Sequence, residues 1–86
     1  MEGYPDGWSE GLKGGVKVLT RTFEFGDFAQ AMAFAVHIGE AADAADHHPE
    51  IIISWGRVRV EWWSHDANGV TSRDIALAET TNRLYS

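Results

Sequence analysis

The residues best suited to chemistry stand in one run, Asp43-Ala44-Ala45-Asp46-His47-His48-Pro49-Glu50, with a further histidine, His65, downstream. Imidazole titrates near pH 6.5, so it both gives and takes protons at neutral pH. Histidines with carboxylates beside them suit a reaction that puts one proton on a leaving group and takes another off the substrate. Asp43 and Asp46 are placed to fix the tautomer or orientation of a neighbouring ring. The same run has two other readings. It can be a polar helix C-terminus, where histidine complements the helix dipole. It can also offer imidazoles to zinc, although adjacent histidines point apart and no H-E-x-x-H spacing is present. The expectation from these residues is therefore no metal. His37 reads as a solvent-facing helix residue.

The elements around this run position it. Residues 16–25 are rich in Val, Thr and Phe, and Leu19, Phe23 and Phe25 fall on one face at period two, which predicts a strand. Asp27 and Gln30 have the spacing of a capping box, and the apolar period becomes helical through Phe28, Ala31, Met32, Ala35, Ile38, Ala42 and Ala45. Pro49 disfavours helical geometry in the residue before it, so this helix ends by His48. Residues 51–55 predict a buried strand and Gly56 a turn. Val58, Val60 and Trp62 alternate with Arg57, Arg59 and Glu61 on the next strand. Thr71 and Asp74 look like a second capping box, opening a helix that runs to about Tyr85. Residues 1–15 read as an irregular Gly-rich arm, or as a short edge strand around residues 11–13, with Trp8 packed against something.

This order predicts one α+β domain over residues 1–86, a four-stranded antiparallel sheet with two helices packed on one face. A hairpin around Gly56 would bring the start of its first strand, and so His47 and His48, near His65. Trp62 and Trp63 must face opposite sides of the sheet, leaving Trp63 as a subunit contact or a pocket wall. Asp74 has two readings, of which capping alone is favoured over a partner standing behind a histidine.

Composition narrows the classes. The 86 residues carry a formal net charge of −6, with seven Lys and Arg and no basic cluster, which argues against nucleic acid and anionic membranes as partners. No apolar stretch approaches the roughly 20 residues of a membrane span. Cysteine is absent, so disulfides and thiolate metal sites are excluded and a reducing compartment fits. The N-terminus lacks the basic-then-apolar order of a signal peptide, and a cytoplasmic location is expected. A domain this small, with Trp63 on an uncovered face, is expected to form a homodimer or homotetramer.

The motifs Phe25-Gly26-Asp27-Phe28, Asp46-His47-His48-Pro49-Glu50, Val58-Arg59-Val60, Ser64-His65, Gly69-Val70-Thr71, Asp74 and Leu77-Ala78 together resemble the pterin-4a-carbinolamine dehydratase family, from Gly7-Trp8 to the C-terminus. The resemblance implies the α+β fold read above, a dimer or tetramer, and dehydration of a 4a-hydroxytetrahydropterin to a quinonoid dihydropterin. It implies that the three active-site histidines are His47, His48 and His65. It places the family's acidic residue four positions before the first of these on Asp43, where many members carry Glu, and the pocket-bordering tryptophan on Trp8. Ser64 keeps the hydroxyl of the commoner Thr, and Trp55 replaces a frequent Tyr. The family's helix ahead of the Trp8 segment is not in this sequence. Within that frame His47 and His65 are the expected proton-transfer pair, His48 orients substrate, and Asp43 and Asp46 tune or orient the imidazoles. The alternative implied by relatives is a non-catalytic dimerisation cofactor or assembly module on the same fold.

Overall fold

The computed structural model describes residues 4–85. Its elements are β1 (Ser9–Lys13), β2 (Val16–Glu24), α1 (Phe28–Ala45), β3 (Glu50–Ser54), β4 (Arg57–Trp62), a single 3₁₀ turn (His65–Ala67) and α2 (Ser72–Tyr85). The strands form one antiparallel sheet in the order β1-β2-β4-β3. The expected α+β fold is thus present. No helix among the described residues is long and apolar enough to cross a membrane.

Local chemistry sets each element. Gly14 and Gly15 both take positive φ, 58° and 85°, and close the β1–β2 hairpin by a two-residue turn that only such angles allow. Asp27 caps α1 by accepting the Gln30 backbone N–H at 2.8 Å. A two-residue turn at Trp55-Gly56 joins β3 to β4, and a Cβ on Gly56 would stand 3.0 Å from the Phe25 carbonyl. Phe25 N–H in turn donates to Gly56 C=O at 2.8 Å, tying that turn to the end of β2. The β3–β4 register, Ile51 opposite Val60 and Ile53 opposite Val58, is the pairing expected around Gly56.

In the N-terminal segment the structure has the edge strand of the second reading, and it starts two residues earlier. Residues 9–13 are an ordered edge strand, paired from Ser9–Thr20 to Lys13–Val16. The sequence Ser-Glu-Gly-Leu-Lys has no period-two apolar face, because this strand contributes backbone pairing and little burial. Residues 1–3 of the predicted arm lie outside the described residues.

One face of the sheet carries the core. Leu19 and Phe23 of β2 and Val58, Val60 and Trp62 of β4 are buried against Ala31, Phe34, Ile38 and Ala42 of α1 and Leu77 and Ala78 of α2. α1 packs on β3 and β4, α2 on β2 and β4, and the two helices touch each other. Trp8 closes this core beside β1, edge-on to Phe23 at 6.0 Å, while its indole N–H donates to Asn82 Oδ1 at 2.8 Å.

The other face is held by charge. Glu50 and Glu61 are direct cross-strand neighbours, a destabilising like-charge pair on its own. Lys13 reaches across from β1 to both, with Nζ 2.5 Å from Glu50 Oε1 and 3.0 Å from Glu61 Oε1. Arg59 adds Nε at 3.0 Å to the other Glu61 oxygen. The Glu61 side chain is only 7% exposed. Burial pushes its carboxyl up, but the bonds from Lys13 and Arg59 outweigh burial and hold it below the usual carboxylate range. A carboxyl depressed by folding adds stability above its unfolded pKa and loses it as pH falls through the folded pKa. Lys13→Met removes one of the opposing cations. It is expected to lower stability at neutral pH and to move the onset of acid unfolding to higher pH. Urea titrations between neutral and acid pH, on wild type and variant, check both; parallel pH profiles would refute the role of Lys13 in holding the Glu61 carboxylate.

Candidate active site

The end of α1 aims the first two histidines. The helix stops at Ala45, and Asp46 caps it in the left-handed region with φ 51° and ψ 43°. That position is most often glycine, because a Cβ there is strained. Asp46 N–H donates back to Asp43 C=O at 3.2 Å, and His47 N–H to Ala42 C=O at 3.2 Å. The chain therefore turns sharply between helix and β3, and the two imidazoles leave it in different directions. His48 points outward, its Nε2 2.9 Å from Asp43 Oδ1 in an exposed pair. His47 points in, its side chain 11% exposed and its ring stacked on Trp62 at 5.9 Å and 9°. Trp62 is itself anchored by its indole N–H on Thr81 Oγ1 at 3.2 Å.

Behind His47 stands Asp74, wholly buried in the first turn of α2. Its Oδ1 is 2.7 Å from His47 Nε2. Its Oδ2 accepts the Ser64 hydroxyl at 2.8 Å, the Thr71 N–H at 2.8 Å and the Thr71 hydroxyl at 3.3 Å. Asp74 does cap α2 as the Thr71 spacing predicts, and it also holds a histidine. The reading of capping alone is thus corrected. A carboxylate oxygen takes a donor, so the neutral His47 carries its proton on Nε2 and leaves Nδ1 as the basic nitrogen. His48, facing Asp43 through Nε2, is ordered the same way.

The third histidine follows β4. Ser64 and Gly69 form an isolated antiparallel bridge, with Ser64 N–H donating to Gly69 C=O at 2.8 Å. The intervening loop is a 3₁₀ turn whose end, Asn68, takes φ 55° and donates its N–H to the His65 carbonyl at 3.2 Å. His65 opens that turn, exposed, with its ring tilted on Trp63 at 5.1 Å. Trp63 is half-buried just past β4 and supports His65, rather than lying bare on a sheet face.

These pieces meet in a cleft of about 390 Å³ lined by Asp46, His47, His48, His65, Asp66 and Arg73. All three expected histidines and Asp46 line it. Asp43 stands one step back, on His48. Ser64 is fully buried, and its hydroxyl is spent on Asp74 and on Thr71 Oγ1 at 2.9 Å. Trp8 is not on this wall in the single chain, since Phe23 and Asn82 hold its ring in the core. Arg73 and Asp66 were not foreseen. Arg73 Nη2 donates to Asp66 Oδ1 at 2.8 Å in the cleft lining, and that bond holds the Asp66 carboxyl below its ordinary range. Neither residue has a periodic or motif signal. Only their adjacency to His65 and Asp74 hinted at the place. Among the described residues, no group of three or more His, Cys, Asp or Glu side chains is gathered as a metal would require.

The strain at Asp46 is testable by itself. Asp46→Gly is expected to stabilise the fold by about 0.5–1 kcal/mol, since relief of the left-handed strain exceeds the extra freedom glycine gives the unfolded chain. A rise in Tm of about 2–8 °C would report it. A fall would mean that the carboxylate makes a stabilising contact larger than the strain.

Comparison with known proteins bears on the family and the fold. Residues 2–84 match the profile of the family described as Pterin 4 alpha carbinolamine dehydratase. A protein of Chlorobium luteolum, provisionally named a pterin-4-alpha-carbinolamine dehydratase, is 46% identical over 71 residues, covering 83% of this chain and 62% of its own length. A relative from Chlorobium limicola with the same name is 46% identical over 81 residues, covering 94% of this chain and 71% of the relative. The chain thus spans somewhat under or over two thirds of the curated relatives it matches. The crystal structure of a transcriptional coactivator/pterin dehydratase from Brucella melitensis superposes with a TM-score of 0.84 at 37% identity, covering 94% of this chain and 84% of that one. A pterin dehydratase-like protein described as a RuBisCO assembly factor in the alpha-carboxysome shares the fold, with a TM-score of 0.77 at 22% identity, over 92% of this chain and 89% of that one. On sequence and fold together, this chain belongs to the pterin-4a-carbinolamine dehydratase family.

Proposed function

We propose that this chain dehydrates a 4a-hydroxytetrahydropterin to a quinonoid dihydropterin and water by histidine general acid/base catalysis. The observation that carries this reading is the gathering of His47, His48 and His65 on one cleft, two of them tied through Nε2 to carboxylates. In the reaction, the C4a–OH bond breaks as a ring nitrogen lone pair forms the new C=N bond. A protonated histidine gives its proton to the departing hydroxyl, so that water leaves instead of hydroxide. A neutral histidine takes the proton from a ring nitrogen. Protons and charge balance within the site, so no metal or organic cofactor is called for. Each proton transfer is worth typically about 10²–10⁴-fold. His47 and His65 are assigned to these transfers and His48 to orienting the ring, with Asp43 and Asp46 setting the imidazoles. Asp74 fixes the His47 tautomer. The cysteine-free composition suits the cytoplasm as the location.

A homo-oligomer is part of the proposal, and the structure moves its motive. Trp63 is engaged by His65, whereas Phe28, Met32 and Val36 expose a stripe at four-residue spacing along α1. A non-catalytic binding module would use the same stripe, so kinetics must separate the two readings. Light scattering is expected to show a multimer that Val36→Glu dissociates. A wild-type monomer at high micromolar concentration would refute association.

His47→Ala and His65→Ala are expected to lose about 10²-fold or more in kcat on a 4a-carbinolamine. His48→Ala is expected to raise KM more than it lowers kcat. The structure separates the stability costs. Truncating exposed His65 or His48 should cost less than about 1 kcal/mol. His47→Ala strands a buried oxygen of Asp74 and should cost about 1–3 kcal/mol. Steady-state kinetics with circular dichroism and urea melts checks the set. Near-wild-type kcat in folded His47→Ala and His65→Ala proteins would leave the His-His-Pro run as a helix end only.

A further inference from the structure

The sheet face away from the helices carries two arginines side by side. β4 sends Arg57 and Arg59 to that face, two residues apart and so about 7 Å from each other along the strand. The register sets their neighbours: Arg59 stands between Thr22 of β2 and Ile52 of β3, and Arg57 between Glu24 and Ser54. Thr22, Ile52, Ser54, Arg57 and Arg59 line a hollow of about 240 Å³ that shares no residue with the histidine cleft. Charge here runs against the rest of the molecule, whose formal net charge is −6 with seven Lys and Arg in all. Lys13, Lys17, Arg59 and Arg73 each face a carboxylate. Arg21 bonds Asn82 and the Asp6 carbonyl, and Arg83 bonds Thr80. Arg57 is the exception: its guanidinium has no hydrogen-bond or ion-pair partner among the described residues. Glu24 lies in its row but lines the adjoining hollow instead.

The donors in this hollow suit an oxyanion. Arg59 spends Nε on Glu61, which leaves its terminal nitrogens, and the whole Arg57 fork is unspent. The Thr22 and Ser54 hydroxyls have no partner among the described residues, and the register sets them at diagonal corners around the two arginines. Two planar forks flanked by hydroxyls match the oxygens of a phosphate, which takes several donors at once. Protection of a sheet edge does not explain the arginines, because β4 lies inside the sheet between β2 and β3. Like charges side by side on one face cost stability unless something answers them, and Glu61 answers only Arg59. We propose that Thr22, Ser54, Arg57 and Arg59 bind a phosphate group, free or carried by a small ester. The rest of an ester has room next door, in a hollow of about 360 Å³ that shares Ser54 and Arg57 and is walled by Trp55, 70% exposed at the β3–β4 turn. An indole so exposed gives a flat ring a surface to stack on. The site stands apart from the dehydratase reading, and association through the α1 stripe leaves this face open.

The test is a titration of the protein with inorganic phosphate, adenosine 5′-monophosphate and adenosine at physiological ionic strength, followed by backbone amide NMR shifts. The two phosphates should shift the amides around Thr22, Ser54, Arg57 and Arg59 to saturation, and adenosine should not. Arg57→Gln should weaken both phosphates about tenfold or more, and Thr22→Val severalfold. Both positions are exposed, so the fold should tolerate the changes. Equal affinity for the two phosphates assigns the site to the free ion. Tighter binding of the nucleotide that Trp55→Ala reduces to the level of phosphate assigns it to an ester. The site is overturned if neither phosphate shifts these amides to saturation, if the shifts gather at Arg73 in the histidine cleft instead, or if Arg57→Gln leaves the affinities unchanged. Adenosine binding as tightly as its monophosphate overturns it as well.

Discussion

The carboxylate of Asp74 is the interaction on which the site depends. It is buried, and a buried carboxylate is tolerable only when its oxygens are supplied with donors. Its donors come from three places: His47 after α1, Ser64 after β4, and Thr71 at the start of α2. Satisfying one anion therefore pulls three chain segments to one point. The site is held together by a need for hydrogen bonds that exists with or without a ligand. This is why two histidines on different elements have fixed places in a domain this small.

The same arrangement explains how the histidines differ. His47 is stacked on Trp62 and bonded to Asp74, so its ring has one orientation and its free nitrogen is Nδ1. His65 rides on a four-residue loop closed by the Ser64–Gly69 bridge and supported by Trp63. His48 is the least constrained, paired with Asp43 in solvent, where such pairs are worth little. His47 is thus the most firmly held of the three rings, His65 is supported from one side, and His48 is the freest. The strained cap at Asp46 fits this pattern, since local strain is commonly kept where a side chain is needed in a site.

The sheet serves the site from both faces. The helix face buries Trp62 and so positions the surface on which His47 stacks. The open face carries Lys13 from the far edge strand to Glu50, the residue next to Pro49. That contact links the edge strand to the segment that bears the histidines. It also reconciles two glutamates that face each other on β3 and β4. β1, which buries little, thus contributes a cation at the place where β3 begins.

Much of this was legible in the residues. Alternation in Leu19, Phe23 and Phe25 and in Val58, Val60 and Trp62, the helical period from Phe28 to Ala45, the two caps and Pro49 specify elements by local rules, since period and capping depend on neighbours a few positions away. Gly56 made the β3–β4 register readable, and with it the approach of His47 and His48 to His65. β1 was less legible because an exposed edge strand needs no apolar face, and its partner is chosen by backbone hydrogen bonding. The second role of Asp74, the retreat of Ser64 behind the site, the withdrawal of Trp8 into the core and the Arg73–Asp66 bridge were decided only by tertiary structure. Each depends on the direction of a side chain between elements distant in sequence. Those directions are set when buried polar groups find their partners in the assembled core, a condition that no local pattern of residues encodes.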